Sequence, residues 1–160
     1  MNIFTLSSKL CMSHLLLRDT FDSFSFLEGE IVTFNRFSID GFLCPDFFDE
    51  PQERSHSLWK EVKSFCLELI RGSRPPVEFR LVLALSPADL EHFFSACSLS
   101  SREQENLQGL YLNFHFKEHV LTCTTGVSTR TFSLDRSLER AWDSYAESFL
   151  KSIPLELEKN

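Results

Sequence analysis

The chain has 160 residues, 42% of them apolar and 24% charged, which suits one folded domain spanning 1–160 and excludes collagenous or disordered classes. A formal net charge of −7 works against a nucleic-acid partner, because phosphate backbones are repelled wherever salt does not screen them. Seventeen phenylalanines against two tyrosines and two tryptophans supply rings without polar handles, which fill cores better than they stack on bases or sugars.

At the N-terminus, Leu15, Leu16 and Leu17 suggest a signal peptide, but Lys9, His14 and Arg18 interrupt the run and no small-residue cleavage site follows. A helix from Ser7 or Ser8 to about Arg18 is expected instead, with Leu6, Leu10, His14 and Leu17 at roughly helical spacing. No stretch approaches the roughly 20 apolar residues of a membrane span, so no membrane partner is expected.

Residues 21–41 alternate as strands do. Phe24 and Phe26 share a face, Glu28-Gly29-Glu30 is predicted as a short loop, and Val32 and Phe34 return, which sets Phe26 opposite Val32 and Asp22 opposite Arg36. Apolar parity then shifts to Phe37 and Ile39, so a bulge is expected near Asn35 and Arg36. Acids and two prolines make 44–55 an irregular connection. A helix from about Ser57 to Arg71 follows, with Leu58, Val62, Phe65, Cys66 and Leu69 as its stripe and Gly72 as its stop.

From Val77 to Leu85, Val77, Phe79, Leu81, Leu83 and Leu85 face one way, while Val82 and Ala84 are apolar on the other, the pattern of a central strand. Ser86-Pro87-Ala88-Asp89 combines a capping serine, a proline at the first helical position and an acid in the first turn. It opens a helix burying Leu90, Phe93, Phe94 and Cys97.

Two turns organise the next segment. With Lys117-Glu118 at a hairpin tip, Phe114 opposes Leu121 and Leu112 opposes Cys123. With Gly126 opening a type II′ turn, Cys123 pairs with Arg130 and Leu121 with Phe132. The outer face then carries Tyr111, Asn113, His115, Thr122, Thr124, Thr129 and Thr131, on the side away from the helices. Arg130 is expected beside Cys123 on the helix-covered face, where a guanidinium needs a carboxylate from the protein or from a bound anion. A last helix, about Asp135 to Ser152, places Leu138, Trp142, Tyr145 and Phe149 on one stripe. The order gives an α+β domain, with a mostly antiparallel sheet of about six strands and about four helices concentrated on one face.

The segments RDTFDSF, TFNRFSIDGFL, CLELIRGSRPP and LTCTTGVSTRTFSLDRSLERAWD, spread over nearly the whole chain, resemble an uncharacterised bacterial family of about this length, a domain of unknown function. The resemblance implies a bacterial, stand-alone domain and supplies no activity, cofactor or catalytic residue.

Familiar chemistries find no footing. The five glycines are isolated, so no phosphate-binding loop is formed and no nucleotide cofactor is expected. His115 and His119 point to opposite faces of their hairpin and cannot clamp one metal, and no GxSxG elbow exposes a serine. The five cysteines are far apart and lack ligand spacing, which fits a reducing cytoplasm. Arg71, Arg74 and Arg80 form the one basic cluster, either a cap on a helix dipole or a site for an acidic ligand. The sequence thus points to a non-catalytic binding or interaction module whose partner is a protein, a small anion or a second copy docked on the threonine-rich face. The alternatives are a small enzyme in which Cys123 is the nucleophile or Arg130 the substrate clamp, and an acidic mimic of nucleic acid.

Overall fold

The computed structural model describes residues 1–153 and the backbone of 157–159. Strand β1 (Ile3–Leu6) leads into helix α1 (Ser8–Met12), which continues as a wider π-helical turn over Ser13–Leu17. Strands β2 (Ser25–Val32) and β3 (Arg36–Asp40) form a hairpin, followed by helix α2 (Trp59–Ile70) and strand β4 (Glu78–Ala84). Helices α3 (Pro87–Cys97) and α4 (Ser101–Asn106) precede the long hairpin of β5 (Leu107–Lys117) and β6 (Val120–Thr129). Helix α5 (Ser137–Ser152) and a short strand β7 (Leu157–Lys159) complete the described chain.

All pairings are antiparallel, and the strand order is β3-β2-β4-β5-β6-β1-β7. The α+β class expected from the sequence is the class observed. Six strands form the body of the sheet, the short β7 adds to its edge, and α4 is a fifth helix beyond those expected. Phe79, Leu81 and Leu83 of β4, Leu112, Phe114 and Phe116 of β5, and Leu121 and Cys123 of β6 are buried beneath the helices. Phe21 packs edge-on to Phe114 at 5.3 Å, and Phe93 of α3 meets Trp142 of α5 at 5.8 Å. The indoles anchor the helices as well as fill space: Trp59 Nε1 donates to the Leu15 carbonyl at 2.7 Å and Trp142 Nε1 to the Tyr111 carbonyl at 3.1 Å. Each donor buried without that bond would lose roughly 1–3 kcal/mol.

Several expected turns are strand interior. Glu28-Gly29-Glu30 lies within β2, where Gly29 pairs with Ile39 and Leu81, and the chain reverses at 33–35 instead. Arg36 therefore faces Val32 and bonds Glu30, not Asp22, and the irregularity sits between Phe26 and Glu28 rather than near Asn35. Gly126 also lies inside a strand, opposite Tyr111, with no positive φ. The space of the expected third strand is taken by β1, whose Phe4 pairs with Cys123.

The β5–β6 hairpin turns at Glu118-His119, both in the left-handed region, φ 51° and 65°. Phe114 consequently faces Cys123 and Phe116 faces Leu121, two residues out of the expected register. A slip of two preserves which face each side chain occupies, so the inner and outer sets of this hairpin hold.

Candidate functional site

One face of the sheet carries the helices, and the other is open. On the open face, Glu28, Val82, Asn113 and Thr124 form one row across β2, β4, β5 and β6, and Glu30, Arg80, His115 and Thr122 form the next. The β2, β4 and β5 members of these rows line a groove of about 1150 Å³, with Phe42 and His56 also in its lining. Their rings lie 4.3 Å apart.

One glycine makes room for the tyrosine on the groove floor. Tyr111 lies over Gly109, so closely that a Cβ there would come within 2.2 Å of the tyrosine oxygen. At Gly126, across from Tyr111, an added Cβ would meet only ordinary contacts, 3.6 Å from the Asn113 amide nitrogen and 3.7–3.8 Å from Tyr111. Next along β5, the Asn113 amide donates to the Thr124 carbonyl at 3.2 Å.

Polar chemistry centres on Glu78, His115 and Arg80. His115 Nε2 donates to Glu78 Oε1 at 2.6 Å, and Arg80 Nε reaches the same oxygen at 3.4 Å. The His115 hydrogen bond holds the Glu78 carboxyl below the usual carboxylate range, with Lys117 and Arg80 adding to the effect. Arg80 also sits directly across from Glu30, which itself binds Arg36. Three carboxylates, Glu28, Glu30 and Asp40, line the groove against one guanidinium, so its field is mainly negative. The imidazole is oriented by a carboxylate, as a general base would be, but Nδ1 has no hydrogen-bonded hydroxyl or thiol among the described residues.

Five of the seven expected surface residues, Tyr111, Asn113, His115, Thr122 and Thr124, share this face. Thr129 and Thr131 do not. Beyond the β6 end the chain turns away, and the Thr129 hydroxyl donates to the Thr131 carbonyl at 3.1 Å while that of Thr131 reaches Asn106 Oδ1 at 2.8 Å. The expected Cys123–Arg130 pair is also corrected. Cys123 is fully buried between Phe4 and Phe114, whereas Arg130 is exposed past the strand, its N–H bonded to the Asn106 carbonyl. Burial raises the Cys123 thiol well above its ordinary range, which removes the thiolate a nucleophile needs.

The basic cluster is divided as well. Arg80 projects into the groove, Arg71 ends the helix on the covered side near Glu68 at 3.7 Å, and Arg74 lies in the loop between. Sequence reasoning missed Glu28, Glu30, Asp40, Phe42, His56 and Glu78. The available signal was the alternation of Glu28, Glu30 and Val32 with buried Gly29 and Ile31, the outward parity of β2 after its irregularity at 26–28.

An antiparallel sheet covered by helices on one side and hollowed on the other defines an α+β protein with a surface site rather than an enclosed one. The chain belongs to DUF5721, a family of unknown function, whose family model matches residues 14–158. No curated protein and no solved structure is detectably similar to it. Among the described residues, no helix is long and apolar enough to cross a membrane.

Proposed function

We propose that the chain is a non-catalytic binding module that takes a protein segment bearing basic groups along the groove of its open sheet face. The observation that carries this reading is the groove itself, uncovered, about 1150 Å³, its charged lining made of three carboxylates, Glu28, Glu30 and Asp40, against the single guanidinium of Arg80. Small-molecule pockets run to roughly 300–1,000 Å³ and enclose their ligand, so an open groove of this size suits an extended peptide better. Tyr111 offers a flat amphipathic ring, Asn113 and Gln108 offer hydrogen bonds, and Glu28 and Asp40 offer counter-charges. A small anion fits less well, because Arg80 is flanked by Glu30 and Glu78. A second copy is a poor occupant too, since two acid-rich faces repel. The five free cysteines, three of them buried, support a cytoplasmic location.

Selection of peptides from a displayed random library tests the reading. Lysine- and arginine-rich peptides should emerge, and Tyr111→Ala and Glu28→Lys should each weaken them at least tenfold while the protein melts as before. Binders that ignore both substitutions, or acidic binders lost on Arg80→Ala, would contradict it.

A further inference from the structure

The sheet ends at β3, whose outer edge is unpaired in the strand order. The hydrogen bonds flanking the β2–β3 ladder, Gly41 N–H to the Leu27 carbonyl and Thr33 N–H to the Asn35 carbonyl, show which groups that edge exposes. Odd-numbered residues of β3 bond inward to β2, so the N–H and C=O groups of Arg36, Ser38 and Asp40 point outward. An exposed row of this kind is a template for another strand.

The sequence of β3 is self-complementary on this edge. When two copies pair antiparallel about a twofold axis at Ser38, Ser38 faces Ser38 and Arg36 of each copy faces Asp40 of the other. All three outward residues fall at hydrogen-bonded positions of the new ladder, the sites their orientation requires. On the covered side, half-buried Phe37 meets half-buried Ile39 of the other copy. The same register carries Phe34, 87% exposed, to the level of Phe42, 64% exposed.

Electrostatics favour the same register. Asp40 sits directly across β2–β3 from Glu28, a like-charge pair that cross-strand geometry penalises. One Asp40 oxygen accepts the Phe42 N–H at 2.9 Å, and neither Asp40 nor Glu28 has a cation partner among the described residues. Arg36 of a second copy, which bonds Glu30 within its own chain through one Nη, is placed to share its guanidinium with that Asp40.

We infer that this chain forms a twofold homodimer by antiparallel pairing of its β3 edges, producing one sheet continuous across both copies. The two open grooves then lie side by side on one surface. This inference stands apart from what the groove binds, and either can fail without the other.

Sedimentation velocity at increasing concentration, with a charge-exchange design, tests it. The wild type should shift from monomer to dimer. Asp40→Arg sets Arg36 against an arginine, and Arg36→Asp sets Asp40 against an aspartate, so each variant alone should remain monomeric. Mixed in equal amounts, they should recover the dimer as a heterodimer, because every facing pair is again opposite in charge. Ser38→Pro should abolish the dimer while the monomer's melting curve stays intact, since that N–H faces outward. A wild type that stays monomeric throughout overturns the inference and leaves the edge to some other strand. So do single variants that still dimerise, or a mixture that recovers nothing.

Discussion

Gly41 closes β3 against β2, and replacing it by alanine gives a sharp test of how that corner is built. A Cβ at position 41 would lie 1.9 Å from the Phe26 carbonyl oxygen and 2.7 Å from that of Leu27. Real Cβ contacts essentially never fall below 3.0 Å, and both obstacles are backbone, so no side chain can rotate away. The chain must move by about 1 Å. That shift strains two hydrogen bonds, Gly41 N–H to the Leu27 carbonyl at 2.8 Å and Ser57 N–H to the Gly41 carbonyl at 2.9 Å. At about 1 kcal/mol for each bond and a further 1–3 kcal/mol for overpacking, the loss is about 3–5 kcal/mol. In a chain of this size each kcal/mol moves the melting temperature by about 2–4 °C, so Gly41→Ala should melt about 10 °C lower. Gly126→Ala is the control. Its nearest neighbours would be 3.6–3.8 Å from the new methyl, and it should melt within about 2 °C of wild type. Equal melting of Gly41→Ala and wild type, or an equal loss from Gly126→Ala, would refute this reasoning.

Other outcomes follow from particular groups. Burial and the charge of Arg18 hold the His14 imidazole below its ordinary range, and His115 holds Glu78 below the carboxylate range. Both shifts are depressions, so the His14 contribution is full above an ordinary imidazole pKa of about 6.5, that of Glu78 above a carboxylate pKa of about 4.3, and each is lost as pH falls further. Urea titrations should show stability falling first through the imidazole window, a step that His14→Gln removes, and then through the carboxylate window. Iodoacetamide should label exposed Cys44 rapidly in the native protein. Cys11 and Cys66, their thiols pushed up to about 12 by burial, and Cys123 should wait for unfolding, as mass spectrometry of the labelled peptides would show. Ser100 accepts the Glu103 N–H at 3.2 Å while Glu103 accepts the Ser100 N–H at 2.9 Å, so Ser100→Ala should cost about 1 kcal/mol in a denaturant titration.

What the sequence revealed and what it hid have separate physical causes. The start of α3 was legible because Ser86, Pro87 and Asp89 each favour a helix N-terminus locally, and β4 because its alternation needs no partner to be recognised. Two glycines misled because their reasons lie across the sheet. Gly29 is small because a Cβ would press on Leu81 and the Phe26 ring at 3.0–3.1 Å, which is packing rather than a turn. Gly126 sits opposite Tyr111 in a continuous strand. The turn at Glu118-His119 lacks the asparagine–glycine signature that usually marks two left-handed residues, so the register moved by two while the faces survived. Arg130 was misplaced by the Gly126 turn alone. The open face was visible through Tyr111, Asn113, His115, Thr122 and Thr124. Its acidic wall was not, because it comes from a hairpin distant in sequence and required the β2–β4 pairing to bring it there.

The most direct measurement is backbone amide chemical-shift mapping of the protein titrated with a selected basic peptide. If the open face is the binding surface, the largest changes fall on Glu28, Glu30, Arg80, Val82, Tyr111, Asn113 and His115, with α2, α3 and α5 unmoved. Changes concentrated on those helices, or on the 130–136 loop beside Asn106, would contradict it.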